Sequence, residues 1–174
     1  DTYYRLFHLS FQKSLETSNI LLDDLFKHVV DKVEGLYTHW FLGELGNNWS
    51  DVCAEELATY GKVLEVPQQE SFYSSRIRTS ENKVFVIVSD AMRYEVGKEL
   101  FHRMQDDPKC SAKLEVQLSV LPSYTRLGMA ALLPHTELTM TDDFKVLVDG
   151  LPCDNLSERK TILQKYNADA VCVQ

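Results

Sequence analysis

Residues 84–100 read VFVIVSDAMRYEVGKEL. The first five are apolar and mostly β-branched, and the run stops at Ser89-Asp90. So short and apolar a run is expected as a buried parallel strand, because both faces of such a strand are covered. Arg93 to Met104 then places Val96, Leu100, Phe101 and Met104 on one face, which is the spacing of a helix. A strand, a polar turn and a helix in that order form one unit of a mostly parallel α/β sheet. In open sheets of this kind ligands bind beyond the carboxyl ends of the strands. Asp90 falls at that position.

The same grammar continues downstream. KLEVQLSVL (113–121) alternates and is expected as a second strand. PSYTRLGMAALLP is expected as a loop and then a short helix stopped by Pro134. DFKVLVDGLPCDN reads as a strand or hairpin turning at Asp149-Gly150. LSERKTILQKY reads as a helix capped by Asn155 or Ser157, and DAVCV as a last strand.

Upstream the period is helical from Tyr3 to about Tyr60. Leu21, Leu22, Leu25, Phe26, Val29, Val30, Val33, Leu36 and Tyr37 recur at three- and four-residue steps. Ser18 or Asn19 is expected to cap this helix, Gly35 to interrupt or bend it, and Gly46-Asn47-Asn48 to stop the next segment. Ser50 would open another short helix closed by Gly61. Pro67 to Asn82 is polar and aperiodic, as in a linker. The expected organisation is a helical unit at 1–66, a linker at 67–82 and an α/β region at 83–174. The chain starts at Asp1 and ends on an apolar run, so it is expected to be a piece of a larger protein.

Composition bounds the function. The chain has 174 residues, 44% hydrophobic and 25% charged, which suits one globular domain with an attachment. A net charge of −8 argues against a general nucleic-acid surface. Four scattered cysteines form no CxxC pair, so a structural zinc site is not expected, and a reducing cytoplasmic setting is the default. No run reaches the ~18–20 apolar residues of a membrane span. The five histidines show neither HxH nor HExxH spacing. No GxxxxGK[ST], GxGxxG or GxSxG occurs.

Two polar clusters sit where a strand should hand over to a helix: Ser89-Asp90 and Ser123-Tyr124-Thr125. Asp90 is an acceptor-only carboxylate suited to a divalent cation, and equally suited to capping a helix. The Thr125 hydroxyl is placed to be a nucleophile beside backbone N–H groups, or a plain helix cap. Arg93 and Arg126 can donate to phosphate oxygens or pair at the surface.

VFVIVSDAMRYEVGKEL followed by LPSYTRLGMAALLPH resembles the PglZ domain of BREX-type bacterial phage-defence systems. YYRLFH, VEGLYTHWFLGELGNNWSDV, VLVDGLP and NLSERKTILQK also resemble its type A members. The resemblance implies an alkaline-phosphatase-like fold, with a two-metal phosphoryl or sulfuryl transfer site and Zn²⁺ as the expected metal. It implies Asp90 as a metal ligand and Thr125 as the hydroxyl that meets the metal and attacks phosphorus. Sulfatase relatives use a modified Cys or Ser at the nucleophile position, against which Thr125 speaks. The family's later Asp and His ligands have no match here, since Asp142, Asp143, Asp149, Asp154 and Asp169 read as solvated turn or helix-end residues. The expectation is an incomplete half-site, inactive alone, within a cytoplasmic phosphatase or phosphodiesterase-like protein that works with other defence-complex proteins. Nucleic acid would be reached only through that complex. The competing expectation is a catalytically silent interaction module.

Overall fold

Helices dominate the amino-terminal part because their apolar residues recur at helical spacing and aromatic rings lock neighbouring turns. The computed structural model describes residues 2–16 and 23–174. They fall into two units, Asp1–Gly61 with Ser89–Leu114, and Lys62–Val88 with Glu115–Gln174. Each unit gathers two separate stretches of chain.

The first unit contains α1 (Thr2–Leu15), α2 (Asp23–Gly35), a π-helical stretch (Leu36–Leu42), α3 (Gly43–Tyr60) and α4 (Tyr94–Gln105). Tyr4 stacks on Tyr37 at 3.8 Å between ring centroids, and Phe11 meets Phe26 edge-on at 5.1 Å. Tyr4 also donates a 2.6 Å hydrogen bond to Glu34. Arg5 of α1 pairs with Glu95 of α4 at 2.7 Å, and that guanidinium holds the Glu95 carboxyl below its ordinary range. The cap expected at Ser18 or Asn19 lies outside the described residues.

The regular α-helix is interrupted at Gly35, as its place in the sequence indicates. The backbone widens into π turns, beside which the Thr38 hydroxyl donates to the Glu34 carbonyl at 2.6 Å. Hydrogen bonding of a side chain back into the preceding turn is one cause of such local distortion. Gly46-Asn47-Asn48, expected as a stop, does not end the segment. Asn48 donates its side-chain amide to the Glu44 carbonyl at 2.7 Å and stays helical. The end comes at Gly61, whose φ of +67° is left-handed and whose N–H reaches the Leu57 carbonyl at 3.0 Å. Glycine takes that conformation without a Cβ clash.

The second unit holds a short 3-10 turn (Gln69–Ser71), a π turn (Tyr73–Ile77), α5 (Thr125–Ala131), β1 (Leu138–Met140), β2 (Val146–Val148), β3 (Leu151–Pro152) and α6 (Leu156–Gln164). The stretch expected as a linker thus has two helical turns of its own. Its sheet is antiparallel in the order β1-β2-β3, with Thr139 opposite Leu147 and Val148 opposite Leu151. The hairpin turn is Asp149-Gly150, as its sequence indicates, both residues at positive φ, 49° and 76°. Such two-residue turns match the twist of the flanking strands. Asn155 opens α6 with a full capping box: its side chain accepts from the Glu158 N–H at 3.0 Å, and Glu158 reaches back to the Asn155 N–H at 3.3 Å. The core lies between α5, the hairpin and α6, where Ala130, Val146, Val148, Cys153 and Ile162 are buried.

The mostly parallel sheet is the larger departure. Residues 84–88, 115–121 and 170–173 form no strand, and Gln68 with Leu118 makes the one parallel bridge among the described residues. Phe85 is 77% exposed and Ile87 90%. An open groove of about 720 Å³ runs past Phe72, Val84, Val86 and Val116, flanked by the Arg76–Glu115 pair at 2.8 Å. A parallel strand needs a covered face on each side and a distant partner. The described residues supply neither to Val84–Val88.

Candidate functional site

Asp90 belongs to the first unit, where it is exposed. It does not cap α4, because Arg93 stands at the cap position with extended backbone and no side-chain cap bond is made there. The Asp90 carboxylate instead accepts from the N–H of the next residue, Ala91, at 2.9 Å. Ala91 carries a φ of 55°. A left-handed alanine is uncommon and costs energy, so the Asp90-Ala91 corner is held in a tense conformation. Strain of this kind gathers at functional sites. The sequence carries no sign of it, since no Gly, Asn or Asp marks position 91. Arg93 contributes its carbonyl to the first turn of α4, accepting from Val96 and Gly97 at 3.0 and 3.1 Å, and its side chain is exposed.

Thr125 belongs to the second unit, exposed, as the first residue of α5. Tyr124 stands at the cap, so the plain cap reading of Thr125 does not apply. The helix has seven residues, so its dipole adds little to a charge at its start. Arg126 lies 3.8 Å from Asp154, a loose and exposed pair.

Sequence reading overlooks Gln69. Its side-chain amide donates to the Gly128 carbonyl in α5 at 3.1 Å and accepts from the Val120 N–H at 3.2 Å. Its backbone N–H reaches the Leu118 carbonyl at 2.9 Å. No local pattern points to it, because its partners lie 51 and 59 positions away.

The later acidic residues are exposed, as expected of turn and helix-end positions, and some of them also make structural contacts. Asp149 accepts from the Glu137 and Thr136 N–H groups at 2.8 and 2.9 Å, and these amides hold its carboxyl below the ordinary value. Asp143 pairs with Lys145 at 2.7 Å and is lowered by that ammonium. Burial pushes the Cys153 thiol up, so it is neither a ready nucleophile nor a ready metal ligand.

Asp90 and Thr125 have the right chemistry for a hard or borderline cation, both offering oxygen. Two donors fall short of a two-metal centre. Among the described residues no three His, Cys, Asp or Glu side chains gather into a metal-holding group. The residues in hand therefore do not complete such a centre. Among the same residues no helix is long and apolar enough to cross a membrane.

Comparison with known proteins gives the family. The BREX system PglZ alkaline phosphatase-like domain matches residues 73–174. The alkaline phosphatase-like protein PglZ of Bacillus cereus (strain H3081.97) is 36% identical over 177 aligned positions, covering 100% of this chain and 20% of the relative. The alkaline phosphatase-like protein BrxZ of Escherichia coli O9:H4 (strain HS) is 40% identical over 155 positions, covering 84% of this chain and 18% of the relative. This chain thus spans about a fifth of the length of the curated relatives it matches. No solved structure matches. With the family's domain covering more than half of it, the chain belongs to the BREX system PglZ alkaline phosphatase-like family.

Proposed function

We propose that the whole protein is a metal-dependent phosphatase or phosphodiesterase-like component of a BREX-type phage-defence system. In this reading Asp90 supplies a metal-ligating carboxylate. Thr125 supplies the attacking or metal-bridging hydroxyl, and Arg93 and Arg126 meet the phosphate oxygens. The chief support is that neither Asp90 nor Thr125 serves as the helix cap its sequence position offers, Arg93 and Tyr124 taking those places. The strained Ala91 beside Asp90 adds to it. Residues 84–88 are proposed as an interior strand of a mostly parallel sheet completed by the rest of the protein. The divalent ions, Zn²⁺ as the first candidate, would take their remaining ligands from there too. Other defence-complex proteins are the proposed partners and the cytoplasm the proposed location.

Asp90→Ala and Thr125→Ala in the whole, Zn²⁺-supplied protein test this, with bis(p-nitrophenyl) phosphate as substrate. Each is expected to lower turnover at least about 100-fold, the scale of losing one group that acts in the transition state. Asp90→Ala is also expected to lower bound metal. Unchanged turnover and metal content in both variants would refute the proposal.

One observation favours the interaction-module reading. Leu45, Trp49 and Val52 line one exposed face of α3, 57%, 51% and 80% accessible. If these alone abolish defence when replaced by Ser, with hydrolysis untouched by the Asp90 and Thr125 variants, that reading replaces the catalytic one.

A further inference from the structure

We propose that Gln69 is a positioning residue for Thr125, a role that rests on the catalytic reading of that hydroxyl. Gln69 lies outside the 73–174 span that matches the family domain, yet it grips the turn leading into α5 at three points. Its backbone N–H holds the Leu118 carbonyl at 2.9 Å, while the Leu118 N–H returns to Pro67 at 2.7 Å. Its side-chain oxygen accepts from Val120 at 3.2 Å, and its side-chain nitrogen donates to Gly128 at 3.1 Å.

Each contact answers a need of the backbone. The last four carbonyls of a helix have no partner within it, and Gly128 is one of them in a helix ending at Ala131. Val120 is half-buried outside any strand, and its N–H finds its acceptor in the Gln69 side chain. One planar amide serves both, tying the two ends of the Val120–Gly128 turn together. Thr125 sits within this loop of chain. The platform is itself fixed, because Gln68 donates to the Val63 carbonyl at 2.8 Å. A neutral amide is required. Leucine of similar size makes neither bond, and an ionised glutamate keeps the acceptor but turns a negative oxygen toward the Gly128 carbonyl.

The test uses the whole protein carrying Gln69→Leu or Gln69→Glu. Amide hydrogen exchange, corrected for intrinsic rates, is followed across residues 118–129 and across β2 and α6. Gln69→Leu is expected to speed exchange at Val120 and its neighbours at least about tenfold, leaving β2 and α6 unchanged. Gln69→Glu is expected to show the same loosening at neutral pH and to regain protection on acidification, as its carboxylic acid recovers a donor. With bis(p-nitrophenyl) phosphate the Leu variant is expected to lower kcat while KM stays, as misplacement of a reacting group does. Unaltered exchange at 118–129 in both variants would overturn the proposal. So would loosening spread evenly through β2 and α6. Should Gln69→Leu prevent folding, the pH response of Gln69→Glu decides alone: recovery supports the clamp and a flat response overturns it. Local loosening together with full hydrolysis by Thr125→Ala would retain the clamp on the turn and refute the catalytic reading of Thr125.

Discussion

Val84–Val88 and Val146–Val148 are both short, apolar and β-branched, yet Ile87 is 90% exposed while Val148 is fully covered. Both runs belong to the same unit. Their intrinsic preference for extended backbone is alike, so propensity does not separate them. What separates them is where a partner comes from. Val146–Val148 meets Leu151 after a two-residue turn, and α5 and α6 supply cover from nearby sequence. Val84–Val88 is flanked by a polar turn and a helix. A parallel neighbour reaches it only through a crossover connection. A strand whose partners are local forms from local sequence, and one whose partners are distant waits for them.

The sharpest way to break this comparison is to truncate one residue in each run's surroundings, within the whole protein. Ile162→Ala removes a core side chain that is 2% exposed and is expected to cost about 2–5 kcal/mol in urea unfolding. If residues 84–88 become an interior strand in the whole protein, Ile87→Ala should cost a comparable amount. A cost within about 0.5 kcal/mol, the range of ordinary surface positions, would keep the two runs distinct and count against the completed sheet.

Asn155→Ala asks how far purely local signals stabilise the covered region. Loss of its capping box is expected to cost about 1 kcal/mol, read from the same unfolding curves. A smaller effect comes from Asp149. The Glu137 and Thr136 amides lower its carboxyl, so the ionised form is favoured in the folded protein. Its contribution is therefore complete above the unfolded value of about 3.9 and is lost as pH falls through the lower folded value. Asn at 149 tolerates the same positive φ but does not titrate. The stability gap between wild type and Asp149→Asn should accordingly narrow on going from pH 7 to pH 3; a constant gap would show that the charge plays no part.

The same contrast explains what can be read in the sequence. The Asp149-Gly150 hairpin, the Asn155 cap, the helix after Asp90 and the Gly61 stop are written in neighbouring residues, and the fold carries each of them. Gly46-Asn47-Asn48 misleads because Asn48 bonds back to Glu44 inside the helix, and that helix runs on through a further three turns to Gly61. Asp90 and Thr125 stand out by their place after apolar runs. That neither caps its helix emerges only with Arg93 and Tyr124 at those caps. Gln69 is illegible, because a single amide reaching across 51 and 59 positions leaves no periodic trace. The polar composition of 67–82 reads as a linker when its hydrogen-bond partners are out of sight.

Delivery of Asp90 to the rim of a sheet requires residues 84–88 to become an interior strand. Amide hydrogen exchange of the whole protein measures this directly. Residues 84–88 are predicted to exchange as slowly as Val146–Val148 of β2. Exchange there as fast as in the polar stretch just before it, residues 80–82, would contradict the interior strand and the site built on it.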